Sequence, residues 1–290
     1  MPQGLSALLT LATERLIQAG VASPQTDAWS LASAILGRGR GELQAAMVIR
    51  DVEVAEELAE RFEQMLERRA NREPLWHITG FAPFLDMDLE VGPGVFVPRP
   101  ETELVAHSAI AEAQLIHPAG ETMRVIDLCS GSGALALALA RGLPHADVLA
   151  VEISDEALPY LERNTRRLAS GQVTVVHADI EYVLSHPWRG TVDLVVSNPP
   201  YLLPGEQLDV ETEEYDPALA LFGGKEGLDV IRRVVSIAAD VLHPGGVLVM
   251  EHGVAQGEAI RRLLEAHGFT STTTERDLVG RDRFSRGTKR

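Results

Sequence analysis

The stretch RVIDLCSGSGALALALAR, residues 124–141, decides how the rest of the chain is read. Residues 124–129 (RVIDLC) read as a strand. Ser130-Gly131-Ser132-Gly133 follows, and the alanine- and leucine-rich segment 134–141 reads as a helix. Glycines let a backbone pass close to a ligand, and a helix N-terminus offers free N–H groups. A second strand, 147–151, ends in Glu152, about twenty residues beyond the loop, where an acid can hold ribose hydroxyls. A helix over 154–168 leads to a third strand, 173–176, and then to Asp179. This βαβαβ pattern predicts a doubly wound, mostly parallel sheet with helices on both faces. Taken alone, the loop is ambiguous. Gly131, Gly133 and Ala136 also satisfy a loose dinucleotide fingerprint.

A fourth apolar run, 192–197, ends in Asn198-Pro199-Pro200-Tyr201. Two prolines cannot continue a helix or a sheet ladder, because each lacks an N–H and has a fixed φ. The Asn198 side chain and the carbonyls around Pro199 are therefore expected to stand as stiff acceptors at the end of a parallel strand. That edge is where open α/β sheets bind ligands. Such a group suits holding a planar –NH2 while a methyl is delivered to its nitrogen.

Asp127 in the first strand, Glu152 after the second, Asp179 after the third and Asn198-Pro199-Pro200-Tyr201 after the fourth together resemble the class I S-adenosylmethionine-dependent methyltransferases. Two further stretches, 95–103 (VFVPRPETE) and 73–80 (EPLWHITG), narrow the likeness. With the glycine loop and the tetrapeptide they resemble the PrmC/HemK family, from about Arg72 to the terminal Gly280-Arg281-Asp282-Arg283. That resemblance implies a class I Rossmann-like fold with an antiparallel last strand. It also implies transfer of a methyl group from S-adenosylmethionine to the N5 nitrogen of the glutamine in the Gly-Gly-Gln motif of class 1 peptide chain release factors. S-adenosylhomocysteine would be the product.

Carried over residue by residue, Cys129, Ser130, Gly131, Ser132 and Gly133 would line the methionine end of the cofactor. Glu152 would accept from the ribose, and Asp179 and Ile180 would lie beside the adenine. Asn198, Pro199, Pro200 and Tyr201 would hold the glutamine amide, with Asn198 also bordering the cofactor. Asn198, Pro199 and Tyr201 would be the catalytic residues. Two positions depart from the family pattern: Cys129 stands where glycine is common, and Ile180 where an aromatic is often found.

Composition sets outer bounds. The chain has 290 residues, 45% of them apolar, with a net charge of −16. Such acidity disfavours stable nucleic-acid binding, which depends on neutralising phosphates. The single cysteine, Cys129, excludes an internal disulfide, and with no evident histidine partner it is expected to be a small packing residue. Nine histidines show no metal-binding spacing, so no metal is expected; His243, His252 and His267 are expected to be solvated at element ends. No apolar run reaches membrane-spanning length, and no signal peptide is evident. A cytoplasmic monomer is the expectation.

The predicted organisation has three parts. Residues 1–73 are a small helical bundle, either a passive stabilising cap or, as the resemblance implies, a module that docks the protein substrate, with helices at 26–36, 41–47 and 52–71 and an apolar face of Leu5, Leu8, Leu9, Ala12 and Leu16. Residues 74–98 are a β-hairpin linker. Residues 99–290 are the methyltransferase domain, with helices at 102–116, 229–242 and 254–267, a Pro244-Gly245-Gly246 turn into strand 247–251, and a closing antiparallel pair at 269–274 and 283–286. The basic residues Arg281, Arg283, Arg286, Lys289 and Arg290 are expected to form a solvated tail or edge strand, the alternative being an RNA or ribosome-proximal contact. The rival enzymes are an adenine-N6 nucleic-acid methyltransferase, whose tetrapeptide can hold the same –NH2, and a methyltransferase of another translation protein. An adenine enzyme needs a basic cleft for its flipped base, which this acidic chain does not suggest. A non-catalytic cofactor-binding regulator would have no need of an amide clamp.

Overall fold

The computed structural model describes residues 3–116, 122–169 and 171–290. The chain forms two compact units. One holds the residues up to Phe81 together with Leu208–Tyr215; the other holds Ala82–Gln207 and Asp216–Arg290.

The first unit contains β1 (Gln3–Gly4), α1 (Leu5–Gln18), α2 (Pro24–Leu36), α3 (Arg40–Ile49), β2 (Glu53–Val54), α4 (Glu56–Ala70) and α5 (Leu75–Thr79). The apolar stripe Leu5, Leu8, Leu9, Ala12 and Leu16 is buried, as the helical spacing requires, and packs in one cluster with Leu31, Phe62 and Leu66. Each leucine or phenylalanine withdrawn from water contributes about 1.5–3 kcal/mol before conformational entropy is charged. Pro24 begins α2, where its missing N–H costs nothing, and Gly37 ends it in the left-handed region. Arg69 is buried between Asp27 (2.7 Å) and Glu211 (2.8 Å), the latter from the returning segment Leu208–Tyr215. Burial pushes the Asp27 carboxyl up and opposes the pull of Arg69.

Two expectations change here. The predicted helix over 52–71 starts only at Glu56, because Glu53 and Val54 pair with β1 instead. The predicted hairpin linker 74–98 begins with a helix, α5, opened by Pro74 and closed at Gly80 with φ of 83°. Only β3 (Phe81–Phe84) and β4 (Met87–Glu90) form the hairpin.

The second unit continues with α6 (Pro100–Ile116), β5 (Met123–Leu128), α7 (Ala134–Gly142), β6 (Ala146–Glu152), α8 (Leu158–Leu168) and β7 (Val173–His177). A 3-10 helix, Ile180–Ser185, leads to β8 (Val192–Ser197). After α9 (Val210–Tyr215), which belongs to the first unit, come α10 (Ala218–Leu221), α11 (Asp229–Val241), β9 (Leu242–Glu251), α12 (Gly257–Ala266), β10 (Phe269–Arg276) and β11 (Asp282–Lys289). The seven-stranded sheet has the order β10-β11-β9-β8-β5-β6-β7. Strands β5 to β9 pair in parallel, and β11 runs antiparallel to both its neighbours.

The strands are apolar on both faces because helices cover both faces. Val125, Val148, Leu194 and Val249 face α6 and α7, while Ile126, Leu149, Val195 and Leu248 face α11 and α12. Pro244-Gly245-Gly246, expected as a turn before a strand, lies inside β9 as an irregularity between the Val192–Leu242 and Leu194–Val247 pairs. The basic C-terminus is not an edge, since β11 is flanked on both sides. Arg283 is buried and paired with Asp277 (3.3 Å), and Arg286 pairs with Glu112 (2.7 Å). His252, expected to be solvated, is fully buried, and its Nε2 lies 2.8 Å from the Ser285 hydroxyl. Burial lowers its pKa and keeps it neutral.

Candidate active site

The strand order reverses between β5 and β8: the chain adds β6 and β7 on one side of β5, then returns to place β8 and β9 on the other. A crevice opens at such a switch point, beyond the C-terminal ends of the strands. Leu128 is level with Ser197 across the β5–β8 pair and with Val151 across the β5–β6 pair. Cys129 and Asn198 therefore follow two adjacent strands and Glu152 closes a third, with Asp179 beyond the fourth. The Ser197 hydroxyl, donating to the Leu128 carbonyl at 2.7 Å, ties two of these ends together.

The glycine loop turns tightly out of β5. Cys129, Gly131 and Gly133 have φ of 63°, 55° and 90°. The left-handed region is easy for glycine and unfavourable for a residue with a Cβ, which gives a physical reason for glycine being common where this chain has Cys129. Desolvation pushes the Cys129 thiol up, and Glu152 adds to the shift, so the thiolate is disfavoured and no nucleophile is available there. A Cβ on Gly133 would stand 2.8 Å from Leu161, whereas one on Gly131 would meet nothing within 4 Å. Gly133 thus serves helix packing, and Gly131 faces open space.

Glu152 is buried and accepts from three backbone donors. Its Oε2 accepts from Gly131 N–H (2.7 Å) and its Oε1 from Ile153 (2.9 Å) and Ser154 (2.8 Å). Asp127 lies beneath the loop. Its Oδ2 accepts from Ala136 N–H (3.1 Å) at the start of α7, and its Oδ1 has no hydrogen-bond partner among the described residues. Burial, reinforced by Glu152, pushes its carboxyl up to about 7. Asp179 caps the 3-10 helix through Glu181 N–H (2.9 Å) and pairs with Arg233 (2.5 Å). Ile180 is buried in the same apolar cluster as Val183 and Ile231. The open space over Gly131, the acid at the second strand end and the unpartnered Asp127 oxygen fit a polar, ribose-bearing cofactor of the S-adenosylmethionine type. Among the described residues no cluster of His, Cys, Asp or Glu is placed to hold a metal, and no helix is long and apolar enough to cross a membrane.

The tetrapeptide is held from behind. Asn198 Nδ2 donates to the Thr102 hydroxyl at 3.3 Å. Its Oδ1 and the Pro199 carbonyl have no hydrogen-bond partner among the described residues. Tyr201 donates its hydroxyl to Glu251 Oε1 at 3.2 Å, and burial beside that carboxylate pushes the phenol up, so it stays protonated. Gln256 donates to the carbonyls of Tyr201 (3.0 Å) and Gly227 (3.1 Å). A Cβ on Gly223 would stand 2.5 Å from the Pro200 carbonyl, and one on Gly227 2.4 Å from that of Tyr201. Only glycine admits so close an approach of the returning chain.

Each residue expected at the site thus lies at one of these strand ends or in the loop between them. Sequence reasoning missed Thr102, Glu251 and Gln256. Thr102 lies inside the quoted stretch 95–103 without an assigned role. Glu251 carried a signal that went unused: like Glu152, it is an acid closing an apolar strand.

Comparisons with known proteins bear on this arrangement. A family model described as the PrmC N-terminal domain matches residues 7–80, and one described as a methyltransferase domain matches residues 119–278. A release factor glutamine methyltransferase of Mycolicibacterium smegmatis is 44% identical over 98% of both chains. One from Streptomyces coelicolor is 42% identical over 98% of both chains. Among solved structures, the T. thermophilus 16S rRNA N2 G1207 methyltransferase RsmC, in complex with AdoMet and guanosine, aligns with a TM-score of 0.52 and 26% identity. That alignment covers 72% of this chain and 50% of the other.

Proposed function

The chain belongs to the release factor glutamine methyltransferase family, and from that premise we propose its reaction. It methylates the N5 amide nitrogen of the glutamine in the Gly-Gly-Gln motif of class 1 peptide chain release factors, with S-adenosylmethionine as donor and S-adenosylhomocysteine as product. The observation that carries this reading is the level register of Leu128 and Ser197, which sets the glycine loop and the two open acceptors of Asn198 and Pro199 at adjacent strand ends.

S-adenosylmethionine, when bound, supplies an electrophilic methyl group on a sulfonium. Residues Cys129 to Gly133 would pass along its methionine end, Glu152 would accept from ribose hydroxyls, and Asp179 with Ile180 would border the adenine. The acceptor is a weak nucleophile, because an amide lone pair is delocalised into its carbonyl. Accepting both amide N–H bonds, at Asn198 Oδ1 and the Pro199 carbonyl, returns electron density to that nitrogen and fixes its direction of attack. Tyr201, anchored by its hydroxyl, sets the amide plane, and Pro200 holds the turn. Alignment of the reactants supplies most of the rate. No general base is required, because the cationic product amide sheds a proton readily.

The N-terminal bundle docks the protein substrate. It carries exposed apolar side chains, among them Leu11, Ile17, Val48 and Ile49, which a small methyl donor does not require. The enzyme acts as a cytoplasmic monomer, and the net charge of −16 supports the absence of stable nucleic-acid binding.

The test is methyl transfer from labelled S-adenosylmethionine, offered separately an unmethylated class 1 release factor, that factor with its motif glutamine replaced by alanine, and duplex DNA. Label on the intact factor alone is expected. Label on DNA, or equal label on the alanine-substituted factor, overturns the reading.

A further inference from the structure

We propose that Thr102 and Glu251 act as a positioning relay that dictates which end of the Asn198 amide faces the substrate. The proposal rests on the reading that Asn198 holds the glutamine amide, and it concerns how the orientation of that group is decided.

An asparagine amide can sit in its place two ways round, and only one presents an acceptor to the substrate. Flipped, it would set one –NH2 against another. Something must choose, and the choice is a matter of hydrogen-bond partners. Thr102, in the first turn of α6, and Glu251, the last residue of β9, are 3% and 2% exposed. The Thr102 hydroxyl lies 2.7 Å from Glu251 Oε2. A carboxylate can only accept, so the one hydroxyl proton of Thr102 is committed to Glu251. What Thr102 turns toward Asn198 is then a lone pair, and it demands a donor. The –NH2 end of Asn198 answers at 3.3 Å, and Oδ1 is left to face the substrate.

The other oxygen of Glu251 accepts from Tyr201 at 3.2 Å. One buried carboxylate therefore secures both ends of the tetrapeptide, Asn198 through a hydroxyl and Tyr201 directly. Burying an ionised carboxylate costs several kcal/mol unless it is hydrogen-bonded and paired. Here two hydroxyl donors and the nearby charge of Arg283 on β11 offset part of that cost. The other charged groups around it are Glu101, beside Thr102 on α6 and paired with Arg281 (3.4 Å), and Asp277, paired with Arg283. His252, the next residue, is neutral and turned to Ser285.

The relay fails when Glu251 takes up a proton, because a neutral carboxyl can itself donate and no longer commits the Thr102 proton. Burial pushes that carboxyl up to about 7, against the pull of Thr102, Arg283 and Tyr201. Activity should therefore fall on the acid side of neutrality.

The experiment is steady-state methylation of the release factor by the full-length protein at saturating S-adenosylmethionine, with cofactor affinity by calorimetry. The variants are Thr102→Val, Thr102→Ser and Glu251→Gln. Thr102→Val and Glu251→Gln should lower kcat by on the order of 10-fold, a part of the ~10²-fold lost when an oriented polar group at the reacting centre is removed. Cofactor affinity should stay within about twofold, since neither residue is assigned a cofactor contact. Thr102→Ser, which keeps the hydroxyl, should restore kcat, and Glu251→Gln should abolish the acid limb of the kcat profile. The relay is overturned if Thr102→Val keeps wild-type kcat, if Thr102→Ser falls as far as Thr102→Val, or if Glu251→Gln keeps the limb. Should Glu251→Gln fail to fold, the valine and serine pair decides alone. A wild-type protein that binds cofactor but never labels the factor overturns the functional reading itself, and the relay with it.

Discussion

The ends of β6 and β8 make an instructive pair. Each delivers one polar side chain beyond the C-terminal edge of the same sheet, Glu152 in one case and Asn198 in the other. Glu152 spends its acceptors on three backbone N–H groups within its own neighbourhood. Asn198 spends only a donor, on Thr102, and its acceptor stays open. A ligand reaching Glu152 meets a carboxylate that already holds three donors and has little acceptor capacity left, so its net gain there is modest. A ligand reaching Asn198 finds an acceptor held ready, so little reorganisation remains for the reaction itself. The first arrangement suits holding a cofactor, and the second suits acting on a reacting group.

The sharpest way to break this contrast is Asn198→Ala. It should lower kcat by on the order of 10²–10³-fold while leaving S-adenosylmethionine affinity nearly unchanged. Turnover within a few-fold of wild type would mean that the acceptor at the β8 end does not act on the substrate. Glu152→Ala is the mirror experiment. It should weaken cofactor binding by roughly 1–3 kcal/mol, the scale of hydrogen bonds to a charged group, with kcat at saturating cofactor close to wild type. Unchanged affinity by calorimetry would leave Glu152 as a brace for the glycine loop alone.

Strand β5 runs between the two ends, and two substitutions, one in it and one just beyond it, sharpen the comparison. Asp127→Asn keeps an acceptor for Ala136 N–H but removes a buried charge. Because burial raises the folded carboxyl from 3.8 to about 7, its contribution to stability is fully present below about 3.8 and is lost as pH rises toward 7. The variant should therefore gain Tm over wild type, and by more at pH 8 than at pH 5, at about 2–4 °C per kcal/mol. An equal gain at both pH values would show that the carboxyl titrates normally. The smallest effect is expected from Cys129→Gly. Relief of the left-handed strain, less the entropy that glycine adds to the unfolded chain, should move stability by no more than about 1 kcal/mol in denaturant unfolding. A loss beyond about 2 kcal/mol would show that the thiol packing outweighs the strain.

How far the sequence could be read followed the same division. The glycine loop and Glu152 were legible because they are local: a strand, a turn and a helix lie within thirty residues, with hydrophobic periodicity on either side. The tetrapeptide was legible as a motif for a similar reason. Its supports were not. Thr102 precedes Asn198 by 96 residues and Glu251 follows Tyr201 by 50, and no period or spacing joins such positions. The solvated reading of His252 failed because its place at a strand end says nothing of β11, which covers it. The edge-strand reading of the basic C-terminus failed likewise, since adjacency in the sheet is decided by pairing and not by chain order. Helix α5 escaped notice because five residues hold too little of a helical period to compete with the proline and glycine around them.

By itself, then, the sequence determined the alternation of strands and helices, the conformation of the glycine loop and the chemical identity of the groups at the strand ends. Those properties depend on side-chain size, backbone freedom and hydrophobic period, all expressed within a few residues. Only the tertiary structure decided which strand lies beside which, that Leu208–Tyr215 belongs with the N-terminal bundle, and that a buried carboxylate stands behind the tetrapeptide. Those outcomes depend on which surfaces exclude water together, and on where a buried polar group must find its partner across the fold.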